Sequence, residues 1–116
     1  MSVQIYHNPR CSKSRQALEL LREKGIDPEI VEYLKTPPDR QTLERVLGLL
    51  GMEPRQLMRC KEAEYKQAGL DNPELTRDQL IDAMLAHPKL IERPIVVKDG
   101  KRAALGRPPE HVLDIL

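Results

Sequence analysis

The sequence predicts an α/β domain built on a mixed β-sheet. Three observations carry that reading. Short β-rich runs lie towards the two ends of the chain. A helix-length segment separates the first pair, whereas Asp99-Gly100 joins the last pair. Between the pairs stands a long stretch of helical periodicity. A helical crossover implies parallel neighbours and a two-residue turn implies antiparallel ones, so a sheet holding both is mixed.

The elements follow in order. Val3-Gln4-Ile5-Tyr6 alternates apolar and polar residues, as a half-buried strand does. His7-Asn8-Pro9-Arg10 forms a tight Pro-containing turn, shaped by Asn8. Ala17, Leu18 and Leu21 then fall at helical spacing, and Gly25 supplies a C-terminal stop. Glu29-Ile30-Val31-Glu32-Tyr33 reads as a second strand, parallel to the first. Thr36-Pro37-Pro38-Asp39 breaks the pattern and leaves Asp39 as an N-cap. Leu43, Val46, Leu47 and Leu50 mark an amphipathic helix that Gly51 ends. Pro54 opens a short helix carrying Leu57 and Met58. Glu62 to Ala68 is a further helix, closed by Gly69. Thr76-Arg77-Asp78-Gln79 has the form of a capping box. It starts a helix that presents Leu80, Ile81, Met84 and Leu85 and stops at His87-Pro88. Residues 35–90 are therefore expected to be a helical insertion. Ile95-Val96-Val97 and Arg102 to Leu105 are the strands of the hairpin. Pro108-Pro109 opens a final helix with Val112, Leu113 and Leu116 on its buried face.

Composition narrows the function. The 116 residues suffice for one domain, 1–116, and not for two ordinary ones. Lysine plus arginine number 19 and aspartate plus glutamate 18, so no global field recruits nucleic acid. With no Trp, no Phe and three Tyr there is no platform for stacking bases. Met1-Ser2-Val3-Gln4 lacks the basic leader and apolar segment of a signal peptide. The longest apolar stretch, Val46 to Met52, is far short of a membrane span. The two cysteines, Cys11 and Cys60, form neither a disulfide framework nor a zinc motif, so no metal is expected. These features point to a soluble protein of a reducing compartment, most simply the cytoplasm.

Cys11 is the residue whose surroundings suggest chemistry. It falls at the start of the first helix, where backbone N–H groups lack intrahelical partners and the helix dipole adds partial positive charge. Arg10, Lys13 and Arg15 add cations. Cysteines so placed have pKa values of about 3.5–7.5, against roughly 8.5 for a free thiol. The same N–H groups suit an oxyanion. A free cysteine is often a small buried hydrophobe, but the polar run around Cys11 favours the reactive reading. Other residues have plain structural readings when taken alone. Arg59 is a charge at a helix end, Arg93 flanks a strand, and Arg107 caps the last helix. His7 is a hydrogen-bonded residue after a strand, and Ser14 belongs to a helical first turn.

The element order resembles a thioredoxin-like (glutaredoxin-like) domain with a helical insertion between its βαβ and ββα halves. Such a domain keeps a cysteine at the N-terminus of its first helix and a cis-proline before its third strand, a position that Pro94 occupies. More specifically, the chain resembles the glutaredoxin-coupled arsenate reductases. The resemblance rests on Tyr6-His7-Asn8-Pro9, Cys11, Ser14-Arg15, Thr36-Pro37-Pro38, Leu57-Met58-Arg59, Arg93-Pro94-Ile95-Val96-Val97 and Gly106-Arg107-Pro108. It implies that Cys11 attacks the arsenic of arsenate. Glutathione, a co-substrate and not a bound cofactor, then joins the adduct, glutaredoxin resolves it, and arsenite leaves. It further implies that Arg59, Arg93 and Arg107 hold the oxyanion and that His7 and Ser14 help to activate the thiolate. The Cys11-Ser12-Lys13-Ser14 core matches a short branch in which Ser12-Lys13 replaces a Gly-Thr pair.

Two other functions fit the same residues. One is a glutathione-linked thiol oxidoreductase with another substrate. The other is a redox-sensing regulatory protein of the same fold that binds RNA polymerase; its Cys-x-x-Cys switch cannot form here, because Ser14 replaces the second thiol. Cys60 lies outside the family pattern and is expected to be a passive, partly buried thiol. The alternative for it is an internal resolving thiol.

Overall fold

The sheet is laid around β1 (Val3–Tyr6), whose Val3, Ile5 and Tyr6 are buried. The structure, a computed structural model, describes residues 2–116. β1 pairs in parallel with β2 (Glu29–Val31), with Ile5 opposite Ile30 and Tyr6 opposite Val31. On its other side it runs antiparallel to β3 (Ile95–Lys98), from Val3 opposite Lys98 to Tyr6 opposite Ile95. β3 pairs antiparallel with β4 (Arg102–Leu105), so the order is β2-β1-β3-β4 in one mixed sheet. α1 (Ser12–Glu23) connects β1 to β2 and buries Ser14, Ala17, Leu18 and Leu21, a stripe at helical spacing. Ala17, Leu18 and Leu21 pack with Val3, Ile5, Val96, Val112 and Ile115 into one core. Burying each Leu, Ile or Val side chain is worth about 1.5–3 kcal/mol, so this cluster fixes α1 against the sheet.

The chain divides into two compact units. One takes the residues up to Thr36 together with Arg93–Leu116; the other is Pro37–Glu92, against the 35–90 read from sequence. The second unit holds α2 (Arg40–Leu50), α3 (Ala63–Gln67) and α4 (Arg77–Ala86). Asp39 caps α2 by accepting the Thr42 N–H at 2.8 Å. Thr76 and Gln79 close a reciprocal box at the start of α4, with bonds of 3.2 and 2.9 Å. Leu43, Val46 and Leu47 from α2 and Leu80, Ile81 and Met84 from α4 are buried. Arg40 pairs with Asp82, and Arg77 with Glu44, between the same two helices. Among the described residues no helix is long and apolar enough to cross a membrane.

Several elements differ from expectation, each for a local reason. The second strand stops at Val31 instead of Tyr33, because the Glu32 carbonyl accepts the N–H groups of Lys35 and Thr36, both at 2.9 Å, and starts a turn. The segment opened by Pro54 is a 3-10 turn, Pro54–Leu57, and Met58 leaves it to bridge Ile91. The last helix is also 3-10, Pro109–Ile115. Its period of three buries Pro109, Val112 and Ile115, where a 3.6-residue period predicts Val112, Leu113 and Leu116. Leu116 is accordingly exposed. At the hairpin, Asp99 and Gly100 both adopt positive φ (54° and 63°), and the Lys101 N–H closes the turn on the Lys98 carbonyl at 3.0 Å. Pairing resumes at Lys98 opposite Arg102, so three residues and not two separate the strands.

Burial predicts unequal costs for two register partners. Ile5 is fully buried and Ile30 is 42% exposed. Ile5→Ala is expected to lower stability in urea unfolding by about 2–5 kcal/mol, and Ile30→Ala by about 0.5 kcal/mol or less. Equal losses would contradict the assignment of β2 as an open edge.

Candidate active site

The loop after β1 is folded by its own hydrogen bonds. The Asn8 carbonyl accepts the Cys11 N–H at 3.0 Å, and Asn8 Oδ1 accepts the Arg10 N–H at 3.0 Å. This is an Asx turn, with Pro9 and Arg10 at its tip. Arg15 Nη1 donates to the Pro9 carbonyl at 2.9 Å and ties the tip to α1. Cys11 is the N-cap of α1, in extended backbone geometry, and its carbonyl accepts the first helical bond, from the Arg15 N–H at 3.0 Å. The sulfur therefore stands where a helix begins and unpaired N–H groups point outward.

Cys11 is 9% exposed. Burial is the largest influence on its thiol and disfavours the charged form. The backbone N–H of Ser14, the charge of Arg93, the backbone N–H of Lys13 and the charge of Arg107 act in the opposite direction and prevail. The net effect is a pKa below the ordinary thiol value. Arg107 Nη2 lies 3.9 Å from Sγ. Its Nε donates to the Arg93 carbonyl at 2.9 Å, so the guanidinium is anchored by one edge while another faces the sulfur. The Arg93–Pro94 peptide bond is cis, as is Arg107–Pro108.

Ser14 and His7 act one step back from the sulfur. Ser14 is fully buried and His7 is 6% exposed. Ser14 Oγ and His7 Nδ1 share a hydrogen bond of 2.6 Å, and Oγ also accepts the Asn8 N–H at 3.1 Å. What Ser14 offers the sulfur is its main-chain N–H. Burial lowers the His7 pKa; Glu32 raises it in part, and Arg22 and Arg15 lower it further. The His7 imidazole thus braces a serine in the first turn of α1. Neither side chain is hydrogen-bonded to the sulfur; the pair reaches it through the Ser14 main-chain N–H.

Arg59 belongs to the second unit. Its N–H donates to the Leu90 carbonyl at 2.7 Å, and its Nη1 to the Lys89 carbonyl at 3.3 Å. Its guanidinium pairs with Glu62, whose other oxygen faces Lys89 Nζ at 3.6 Å. The structure thus brings Arg93 and Arg107 to Cys11 and shows Arg59 held by a carboxylate. Cys60, next to Arg59, is an exposed free thiol and not a partly buried one. Its Sγ lies 3.5 Å from the Met58 carbonyl.

The ArsC family profile matches residues 6–115. The chain belongs to the ArsC family. It is 56% identical over 115 residues to the uncharacterized protein YfgD of Escherichia coli K12, which covers 98% of this chain and 96% of that one. It is 52% identical to a protein of Neisseria meningitidis named arsenate reductase, over 98% of this chain and 97% of that protein. Among solved structures, an arsenate reductase from Vibrio cholerae superposes with a TM-score of 0.96 at 55% identity, over 100% of this chain and 98% of that one.

Ser14, which the family resemblance names together with His7, is also marked by its place, a buried hydroxyl in the apolar stripe of α1. Gly106 has no functional group to draw attention.

The arrangement makes a pH-dependent prediction. A lowered pKa keeps Cys11 ionised further into acid, so its alkylation rate should reach half-maximum below the pH of an ordinary thiol, roughly 8.5. Arg107→Gln removes a positive neighbour and should move that midpoint upward. A wild-type midpoint at the free-thiol value, or one unmoved by Arg107→Gln, would contradict the electrostatic account.

Proposed function

We propose that this protein reduces arsenate to arsenite, with the Cys11 thiolate as nucleophile and with glutathione and glutaredoxin supplying the electrons. One observation carries the reading. The thiol favoured in its ionised form lies beside cationic groups that also suit a tetrahedral oxyanion, with Arg107 Nη2 at 3.9 Å from its sulfur. Guanidinium groups hold oxyanions through paired N–H donors, and they offset negative charge as it builds during attack. The relatives named arsenate reductase support arsenate as the anion.

The Cys11 sulfur attacks As(V), an As–O bond breaks, and the departing oxygen leaves, protonated, as water. The glutathione thiol then joins the adduct. Two sulfurs give up the two electrons that convert As(V) to As(III), and they end as one disulfide while arsenite departs. Glutaredoxin takes the glutathionyl group into a disulfide of its own, which frees the Cys11 thiol, and a further glutathione restores glutaredoxin while leaving as oxidised glutathione. Arg93 and Arg107 hold the oxyanion in this proposal. Arg59 is the third arginine, assigned by the family resemblance. His7 and Ser14 keep the start of α1 in place. A cytoplasmic setting, where thiols stay reduced, belongs to the same proposal.

A coupled assay tests it. Purified protein with glutathione, glutathione reductase and glutaredoxin should oxidise NADPH only when arsenate is added. Cys11→Ser should reduce that rate to background while its unfolding curve stays close to wild type. Substantial turnover by folded Cys11→Ser would exclude Cys11 as the nucleophile. Undiminished turnover without glutaredoxin would exclude the reductant assignment.

A further inference from the structure

Gly106 differs from every other glycine in the chain. Gly25, Gly51, Gly69 and Gly100 have positive φ and open space where a Cβ would stand, and Gly48 also has open space. Gly106 is the converse, with no positive φ and no space. A Cβ there would lie 2.6 Å from Pro94 Cγ, 3.2 Å from Pro94 Cδ and 3.2 Å from Val112 Cγ1. Real Cβ contacts are essentially never as short as 2.6 Å. Neither neighbour is the loose end of a flexible side chain, since Pro94 is a buried ring and Val112 is fully buried. Glycine is therefore required here by close approach and not by backbone freedom.

Two hydrogen bonds say what the approach achieves. The Gly106 N–H donates to the Pro94 carbonyl at 2.9 Å, and Arg107 Nε donates to the Arg93 carbonyl at 2.9 Å. Consecutive residues of one segment thus clasp consecutive carbonyls of the other. The second bond is the one that anchors the guanidinium whose Nη2 faces the Cys11 sulfur at 3.9 Å. An arginine in solvent samples many rotamers; here the Arg93 carbonyl selects one.

We infer that Gly106 is a positioning residue for the Cys11 thiolate: its missing Cβ lets the Gly106-Arg107 segment clasp Arg93-Pro94, and the clasp sets Arg107 against the sulfur. The inference rests on the reading of Cys11 as an activated thiolate and names a residue that acts on it through Arg107. A side chain at position 106 pushes the two segments apart, stretches the Nε–carbonyl bond and withdraws positive charge from the sulfur.

The test is the pH midpoint of Cys11 alkylation in the full chain, with Cys60→Ala in all variants so that one thiol reports. Gly106→Ala should raise the midpoint by about half to one pH unit, equivalent to a roughly three- to tenfold loss of thiolate preference. In an Arg107→Gln background the same change should add almost nothing, because the group it acts through is gone. A residue that only packs would lower the urea midpoint and leave the alkylation midpoint alone. An unmoved alkylation midpoint in folded Gly106→Ala, or an equal rise in both backgrounds, overturns the inference. If Gly106→Ala does not fold, Arg107→Lys decides. Lysine keeps the charge but lacks the Nε–H that meets the Arg93 carbonyl, so its midpoint should rise towards that of Arg107→Gln. A wild-type midpoint in Arg107→Lys overturns the clasp. A free-thiol midpoint in the protein without any site substitution would instead sink the thiolate reading, and the inference with it.

Discussion

A sulfur anion on a residue only 9% exposed has little water to stabilise it, and the rest of this site answers that constraint. Desolvation alone would hold Cys11 as an unreactive thiol. The opposing contributions come from fixed groups of two kinds. Main-chain N–H groups of Lys13 and Ser14 exist because a helix must leave its first donors unpaired. The charges of Arg93 and Arg107 are carried by residues in the segments just before β3 and just after β4. An oxyanion entering such a site would meet the same donors, so in the proposed reaction one arrangement would serve both nucleophile and electrophile.

The register of the sheet explains how residues far apart in sequence meet. Tyr6, the last residue of β1, lies opposite Ile95, the first of β3, and Ile95 lies opposite Leu105, the last of β4. The segment after Tyr6, the segment before Ile95 and the segment after Leu105 must therefore leave the sheet at one edge. Those segments are the turn leading to Cys11, Arg93-Pro94 and Gly106-Arg107. Antiparallel pairing on one side of β1 gathers the charges, while parallel pairing with β2 on the other side demands the α1 crossover that places Cys11 at a helix start. Ser14 and His7 add a buried hydrogen bond beneath that first turn, and the Asn8 Asx turn holds the chain entering it.

Much of this was readable from residue pattern. The alternation in Val3 to Tyr6, the stripe of Ala17, Leu18 and Leu21, the cap at Asp39 and the box at Thr76 each encode a local rule that the structure obeys. The exceptions arise where one local rule overrides another. Glu32 and Tyr33 look like strand, yet the turn bonds accepted by the Glu32 carbonyl win. Val112 to Leu116 fit an α-helical face, but a segment opening on two prolines winds as a 3-10 helix and exposes Leu116. The candidate site was legible in part. Cys11 announces itself through its neighbours in sequence. The approach of Arg107 to it is a fact of register, and the clasp at Gly106 is a fact of steric fit; neither leaves a local signal. The carboxylate partner of Arg59, Glu62, stands three residues on and reads in sequence as an ordinary charge at a helix start.

In the proposed function the start of α1, together with Arg93 and Arg107, forms one oxyanion site around the Cys11 sulfur. A crystal structure of Cys11→Ser soaked with arsenate tests it most directly, since serine keeps the shape and removes the reacting atom. The expected result is a tetrahedral anion held by the Ser14 N–H and the Arg93 and Arg107 guanidinium groups, with its central atom facing the side chain at position 11. Arsenate bound only to surface lysines, or an Arg107 side chain turned away from an anion at the helix start, would contradict it.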